Sequence, residues 1–208
     1  MITKIIEFAL KAHDGQPRKG TEIPYIVHPI ETAVILAQNG ASQAVILAGI
    51  LHDILEDTLE TEESILGIFS EGNAEKQHIL EIVCAVTEPL KLEAKRKKIP
   101  ISSEKDSWRE RKEHTISYVK ALSGDESKKD ILLVICADKV SNIRAMVHDY
   151  EELLRKGNHG MGLFDRFNAP YQDQKWYYES LVERLKDLEE FQMYQEFKQQ
   201  VSYLFGSK

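Results

Sequence analysis

The segment AVILAGIL at residues 44–51 constrains the fold most, because as a helix it is apolar on nearly every face. A helix of that kind has no face suited to water, so other elements must surround it. The chain is large enough to supply them: it has 208 residues, of which 42% are hydrophobic. The segment therefore predicts a buried helix at the centre of a globular fold.

The rest of the chain predicts further helices around this one. Only six prolines and eleven glycines interrupt it, and most long segments carry apolar residues at helical spacing. We expect an all-α fold, a single compact multi-helix bundle over residues 1–208 with a core at about 5–146 and a helical extension at about 147–208. Residues 91–107 are mostly charged or polar and predict a long loop. The predicted helices span residues 2–13, 29–39, 42–56, 61–70, 73–87, 106–122, 129–146, 148–155 and 170–204.

Polar residues interrupt three of the apolar segments. His52 and Asp53 follow the central run, Asp138 ends the run ILLVICA, and His28 follows YIV. An unpaired buried carboxylate costs several kcal/mol, so each aspartate needs a positive partner. A His–Asp hydrogen bond would satisfy one pair, but three separate intrusions favour a shared divalent cation. Mixed imidazole and carboxylate ligands suit Mn, Fe, Zn or Ni better than Ca.

An acidic pair accompanies this cluster. A helix turn places His52 over Glu56 and Asp53 over Asp57, so all four side chains leave the same part of the helix. A bound divalent ion lowers the pKa of a coordinated water towards neutrality, and nearby carboxylates can manage its protons. The two cysteines, Cys84 and Cys136, lie in apolar runs, as buried structural cysteines do. These features indicate hydrolysis by water rather than by a covalent nucleophile.

Charge and hydropathy argue against two classes of partner. The formal net charge is −7, whereas proteins that bind nucleic acids generally present a basic surface. No run reaches the roughly 18–20 apolar residues of a membrane span, and the first residues are too polar for a signal peptide. Two cysteines without a disulfide pattern suit a reducing compartment. We expect a cytoplasmic protein, and the sequence does not indicate its oligomeric state.

Three motifs resemble the hydrolase domain of the RelA/SpoT family, within the HD superfamily. They are AHDGQPRKGTEIPYIVHPIETAVIL, LAGILHDILEDT and ICADKVSNIR, and the resemblance extends over about residues 5–146. The small stand-alone form, represented by the metazoan SpoT homologue, is the most similar. That family removes the 3′-pyrophosphate from the guanosine alarmones ppGpp and pppGpp with Mn²⁺. The resemblance therefore implies a Mn²⁺-dependent phosphohydrolase whose partner is a small phosphorylated nucleotide.

The same resemblance implies roles for individual residues. The implied metal ligands are His28, His52, Asp53 and Asp138. The implied acidic pair beside the attacking water is Glu56 and Asp57. Implied nucleotide contacts are Arg18 and Lys19 near the base and Asn142 near the ribose. Arg111 and Lys112 match a basic turn that faces the substrate phosphates, although a solvated helix face is an equal alternative.

Several alternatives remain open at this level. Ala145 stands where long family members have a threonine that contacts the nucleotide, which leaves room for another substrate, such as NADPH or a nucleoside phosphate. A non-catalytic module that senses a nucleotide is a further alternative, against which the intact acidic pair argues. His78 and His114 lie where binuclear HD enzymes carry additional ligands. The cluster Trp176, Tyr177 and Tyr178 predicts core packing, with a substrate contact as the alternative.

Overall fold

The computed structural model describes residues 1–97, 108–158 and 162–206, which form helices joined by short connections. No β-strand occurs in these ranges, where Pro17 and Pro24 form one isolated bridge, so the prediction of an all-α fold is confirmed. None of the described helices is long and apolar enough to cross a membrane. The α-helices are α1 (Ile2–Ala12), α2 (Val27–Gln38), α3 (Gln43–Leu51), α4 (Ile54–Asp57), α5 (Glu62–Gly67), α6 (Lys76–Val86), α7 (Pro89–Lys97), α8 (Trp108–Leu122), α9 (Lys129–Arg155), α10 (Tyr171–Arg184) and α11 (Gln192–Phe205).

The apolar helix α3 lies at the centre, as predicted. Helices α1, α2, α6 and α9 pack against it, and the side chains from Ala44 to Leu51 are buried apart from a partly buried Ile46. The helix begins after Ser42, whose hydroxyl accepts a hydrogen bond from the backbone N–H of Val45. Gly49 lets α2 approach closely, because a Cβ at this position would lie 2.5 Å from Leu36 Cδ1.

Helix α9 is the longest element and contacts α2, α3, α6 and α11. The sequence predicts two helices here, at 129–146 and 148–155, but the structure has one. Neither glycine nor proline occurs near Val147, and the side chains of Met146 and Val147 are both buried, so nothing interrupts the helix. It ends before Gly157, whose φ of 78° is the left-handed conformation that closes many helices.

The C-terminal segment forms two helices where the sequence predicts one at 170–204. A short 3₁₀ turn, Lys186–Leu188, separates α10 from α11. Leu185 and Leu188 are fully buried at this turn, which reverses the chain so that α11 packs on both α9 and α10. Burial of the turn therefore overrides the helical periodicity of the segment.

The predicted loop at 91–107 is wrong for its first part, because α7 continues to Lys97. Residues 98–107 lie outside the described residues. Helix α7 docks partly through charge: the Lys95 ammonium donates to the backbone carbonyls of Leu55 and Thr58 at 2.9 and 2.7 Å. Leu92 is also buried beneath the helix. Helix α7 therefore needs few buried apolar side chains to hold it in place. Because the sequence has so few of them here, its pattern predicts a loop.

Candidate metal centre

The predicted helix at 42–56 is interrupted at the two residues that carry its chemistry. Helix α3 ends at Leu51 and α4 begins at Ile54, so His52 and Asp53 occupy the joint. Asp53 has φ −93° and ψ −4°, outside the regular α-helical range, and its carbonyl accepts the first hydrogen bonds of α4. The joint places both side chains next to residues of α2 and α9.

The structure brings the four predicted metal ligands together. His28 Nε2 lies 3.4 Å from Asp53 Oδ2 and 3.1 Å from Asp138 Oδ1. His52 Nε2 lies 3.1 Å from the same Asp53 oxygen and 3.8 Å from the same Asp138 oxygen. Two ligands that are each about 2.1 Å from one ion lie no more than about 4.2 Å apart. All four separations meet this limit, and the ligand atoms of His28, His52 and Asp53 lie close enough to one another for a single transition-metal ion, with Asp138 within the same reach of both histidines.

Both imidazole rings direct Nε2 towards this space. His52 Nδ1 is 2.8 Å from the carbonyl oxygen of Gly49, which can only accept a hydrogen bond, so Nδ1 carries the proton. His52 Nε2 is buried without a hydrogen-bond partner. His28 Nδ1 is 2.8 Å from the hydroxyl of Ser141. Imidazole nitrogens and carboxylates that converge in a buried space are a set of ligands that suits a divalent cation.

The pKa values of these four residues follow from burial and from the neighbouring charges. Burial lowers the pKa of His52, but the charges of Asp53 and Asp138 outweigh burial and leave that pKa raised. Burial keeps the pKa of His28 below its ordinary value. Burial raises the pKa of Asp53, but the two histidines outweigh it and leave that pKa lowered. Asp138 likewise has a lowered pKa, because the ammonium of Lys139, 2.5 Å away, outweighs burial.

The acidic pair Glu56 and Asp57 lies beside this cluster and contacts two residues that the sequence did not single out. The Tyr25 hydroxyl is 2.6 Å from Asp53 Oδ2 and 3.0 Å from Asp57 Oδ2. The Lys91 ammonium is 3.1 Å from Glu56 and 3.0 Å from Asp57. Burial and the charges of Asp53 and Glu56 raise the pKa of Asp57 to about 6, although Lys91 opposes them. Tyr25 lies in the motif YIVHP next to His28, so the sequence offered a signal for its contact with the aspartates. The sequence of α7 offered no signal for the contact of Lys91 with the acidic pair.

A cavity of about 560 Å³ opens onto the cluster. Its wall includes the predicted nucleotide contacts Arg18, Lys19, Asn142 and Lys112. Arg18 donates to Asn142 Oδ1 at 2.9 Å, and Asn142 donates to Asp138 Oδ1 at 2.5 Å, so Arg18 is linked to the metal cluster. The Lys19 ammonium is 2.6 Å from Asn168 Oδ1. Their roles as nucleotide contacts stay predictions.

Arg111 and the aromatic residues of α10 have different positions. Arg111 is 4% exposed, lies next to Glu88 and is not among the described side chains on the cavity wall, so it is not a solvated surface residue either. Tyr177 and Tyr178 are buried, as core packing predicts, but they also reach the cavity wall. The Lys112 ammonium lies 5.1 Å above the ring of Tyr177.

The additional histidines lie apart from this centre. His78 is exposed and pairs with Asp130 at 2.8 Å, and His114 is exposed on α8. In the part of the chain that the structure describes, the one group of three or more ligand side chains close enough for a metal is His28, His52 and Asp53. The alternative of a second metal ion therefore has no structural support among these residues.

Known proteins that are similar to this chain share the HD domain. The sequence matches the HD domain family over residues 6–170. A GTP pyrophosphokinase of Myxococcus xanthus is 33% identical over 152 residues, 73% of this chain and 18% of that protein. A guanosine-3′,5′-bis(diphosphate) 3′-pyrophosphohydrolase of Aquifex aeolicus is 30% identical over 155 residues, 74% of this chain and 19% of that protein. The chain thus spans about a fifth of the length of these relatives.

Two solved structures share the fold. The protein lmo0812 from Listeria monocytogenes has a TM-score of 0.63 and 26% identity, over 88% of this chain and 97% of that one. A metazoan ortholog of SpoT, described as hydrolysing ppGpp, has a TM-score of 0.62 and 20% identity, over 98% of this chain and 92% of that one. The family match covers well over half of the chain, and the relatives are proteins of the kind that the motifs resemble. The chain therefore belongs to the HD domain family.

Proposed function

We propose that this protein is a cytoplasmic, Mn²⁺-dependent phosphohydrolase that removes the 3′-pyrophosphate from guanosine alarmones. The observation that carries the proposal is the convergence of His28, His52 and Asp53 within one ion's reach, with Asp138 beside both histidines, next to an acidic pair and a cavity. The names of the relatives support the choice of substrate. The whole chain, residues 1–208, forms one functional unit in this proposal.

A divalent ion at this centre would supply a water of lowered pKa and would polarise a phosphoryl oxygen. The protein residues supply position and charge, which are the main requirements of phosphoryl transfer. Glu56 and Asp57 orient the water and accept its proton, and their contacts with Lys91 and Tyr25 hold the two carboxylates in place. No covalent nucleophile takes part, since Cys136 is fully buried and burial raises the pKa of its thiol.

In this proposal the nucleotide lies in the cavity, between groups of opposite charge. Arg18 and Lys19 lie on its wall with Asn142, and in this proposal they contact the base and the ribose. Lys112 lies on the same wall and is available to the phosphates. Most of the acidic lining surrounds the metal centre, where a cation would neutralise it. This distribution suits a substrate with a phosphorylated end at the metal and an uncharged ring away from it.

The test is hydrolysis of ppGpp by the purified full chain, with and without Mn²⁺, beside GTP, NADPH and a nucleoside monophosphate. We expect Mn²⁺-dependent release of pyrophosphate from ppGpp. Hydrolysis of another compound instead would retain the phosphohydrolase class and overturn the alarmone assignment. Mn²⁺ binding without hydrolysis of any compound would favour the nucleotide-sensing module.

Two variants separate substrate binding from chemistry. Arg18→Ala should raise KM about three- to thirtyfold, because a cation stacked on a ring contributes about 0.5–2 kcal/mol to ground and transition states alike. Glu56→Gln should instead lower kcat with little change in KM. Because Arg18 also contacts Asn142, metal content must be measured in both variants. A lower kcat for Arg18→Ala with lost metal would show that this residue acts through the metal centre.

A further inference from the structure

A buried serine of one helix connects a candidate metal ligand to a glutamate, both of which lie on another helix. Ser141 of α9 is fully buried, and its hydroxyl oxygen lies 2.8 Å from His28 Nδ1. The same hydroxyl lies 2.7 Å from Glu31 Oε2 of α2. These two contacts join three side chains in a series that ends at Nδ1 of His28, the ring nitrogen that does not face the metal centre.

The number of hydrogens determines the direction of both hydrogen bonds. A serine hydroxyl has one hydrogen, and a carboxylate can only accept one. The hydroxyl of Ser141 must therefore donate to Glu31, and its oxygen accepts from His28 Nδ1. That arrangement places the imidazole proton on Nδ1 and leaves the lone pair on Nε2, the atom 3.1 Å from Asp138.

Glu31 also forms an ion pair with an arginine. Arg144 Nη1 lies 3.2 Å from Glu31 Oε1, and the Arg144 guanidinium also binds Glu196 of α11 through Nε at 2.5 Å and Nη2 at 2.7 Å. The Glu31 carboxylate thus binds Arg144 through one oxygen and the Ser141 hydroxyl through the other. Residues of three helices, α2, α9 and α11, therefore contribute to the contacts that hold His28 in position.

We propose that Ser141 and Glu31 are positioning residues that set the tautomer and orientation of His28 for metal binding. Histidine ligands generally donate their second ring N–H to an acceptor that fixes them, and loss of that acceptor weakens metal binding about 10–100-fold. Here the acceptor is the neutral hydroxyl of Ser141. Its oxygen must accept from His28 because its one hydrogen is donated to Glu31. The inference rests on the proposed metal centre and is independent of the substrate.

The first measurement is Mn²⁺ affinity by titration calorimetry of the chelator-treated full chain. Ser141→Ala removes the acceptor, and we expect its dissociation constant to rise about 10–100-fold. Ser141→Thr keeps a hydroxyl and should restore most of the affinity. Thermal melts without metal establish that each variant is folded. Equal affinity in the wild type and Ser141→Ala would overturn the proposal, and so would equal losses in the alanine and threonine variants when both are folded.

The second measurement reads the tautomer directly. In Glu31→Gln the new amide can donate to the Ser141 oxygen, which frees the hydroxyl hydrogen for His28 Nδ1. Long-range ¹H–¹⁵N spectra of the metal-free protein should then show the Nδ1 proton of His28 in the wild type and its transfer to Nε2 in this variant. The matched control is Glu152→Gln, which removes the same charge from α9 at its ion pair with Lys156 and should change neither spectrum nor affinity.

The outcomes separate this inference from the proposed function. A wild type that binds no Mn²⁺ would overturn the metal centre itself. A wild type that binds Mn²⁺, with Glu31→Gln unchanged in both tautomer and affinity, would overturn only the role of the serine and glutamate. A changed tautomer together with weaker binding is the expected result.

Discussion

The substitution Gly49→Ala tests whether the close approach of α2 and α3 holds the metal centre in shape. A Cβ at this position would lie 2.5 Å from Leu36 Cδ1 and 3.6 Å from Thr32 Cγ2. Leu36 and Thr32 are both fully buried, so neither side chain has free space into which it can turn. The added methyl group must therefore push the two helices apart.

The magnitude follows from two opposing contributions. Replacing a helical glycine by alanine ordinarily stabilises by about 0.5–1 kcal/mol. Overpacking a closed core costs about 1–3 kcal/mol. Because both contacting side chains are fully buried, the cost should lie in the upper part of this range. We expect a net loss of about 1–2 kcal/mol in the free energy of unfolding, or roughly 2–8 °C in Tm for a chain of this size.

The same displacement should weaken metal binding, since the Gly49 carbonyl accepts the hydrogen bond from His52 Nδ1. Denaturant unfolding without metal and Mn²⁺ titration measure the two effects separately. The matched control is Gly67→Ala, because Gly67 ends α5 and a Cβ there would contact nothing within 4 Å. If Gly49→Ala is as stable as Gly67→Ala, the steric argument is refuted. If it is less stable but binds Mn²⁺ normally, the link to His52 is refuted.

Three further predictions concern the carboxylates of the site. Asp53→Ala should abolish the stabilisation by Mn²⁺, which for the wild type is about 2.7 kcal/mol at a hundredfold excess over Kd, and equal melting shifts in both proteins would contradict its role as a ligand. Asp57 has its pKa raised from 3.8 to about 6 in the folded protein, so its contribution to stability is lost as pH rises through that interval. In the presence of a chelator, the stability of Asp57→Asn relative to the wild type should therefore increase as the pH rises from about 4 to 6. A difference in stability that does not depend on pH would refute this. Tyr25→Phe should weaken Mn²⁺ binding about 10–100-fold, because Asp53 loses a hydrogen-bond donor, and calorimetry showing wild-type affinity would argue against that role.

The sequence predicted the fold class and the convergence of the candidate ligands because burial is visible in composition. A helix apolar on nearly every face must be central, and a histidine and an aspartate at its end must then be buried as well. The run before Asp138 led to the same conclusion for α9. Two buried helices and the start of α2 at His28 were therefore sufficient to predict one shared site, before any distance was known.

Features that depend on tertiary contacts could not be predicted in this way. The turn between α10 and α11 is fixed by the burial of Leu185 and Leu188, not by a glycine or proline. Helix α7 is fixed by the ammonium of Lys95 on carbonyls at the end of α4. A single sequence reveals neither, since hydrogen bonds between distant segments leave no periodic pattern. The same reason explains why Lys91 was missed as a partner of the acidic pair.

The charges around the centre show why this arrangement suits a divalent ion. Four carboxylates lie together: Asp53, Glu56, Asp57 and Asp138. Two ammonium groups oppose them, Lys91 on the acidic pair and Lys139 on Asp138. The two negative charges that remain equal the charge of one divalent cation. Without such an ion, protons must offset part of the surplus, in agreement with the raised pKa values of His52 and Asp57. Because the cluster is buried, its excess negative charge is costly in free energy. A bound metal ion is the most effective group to neutralise that charge.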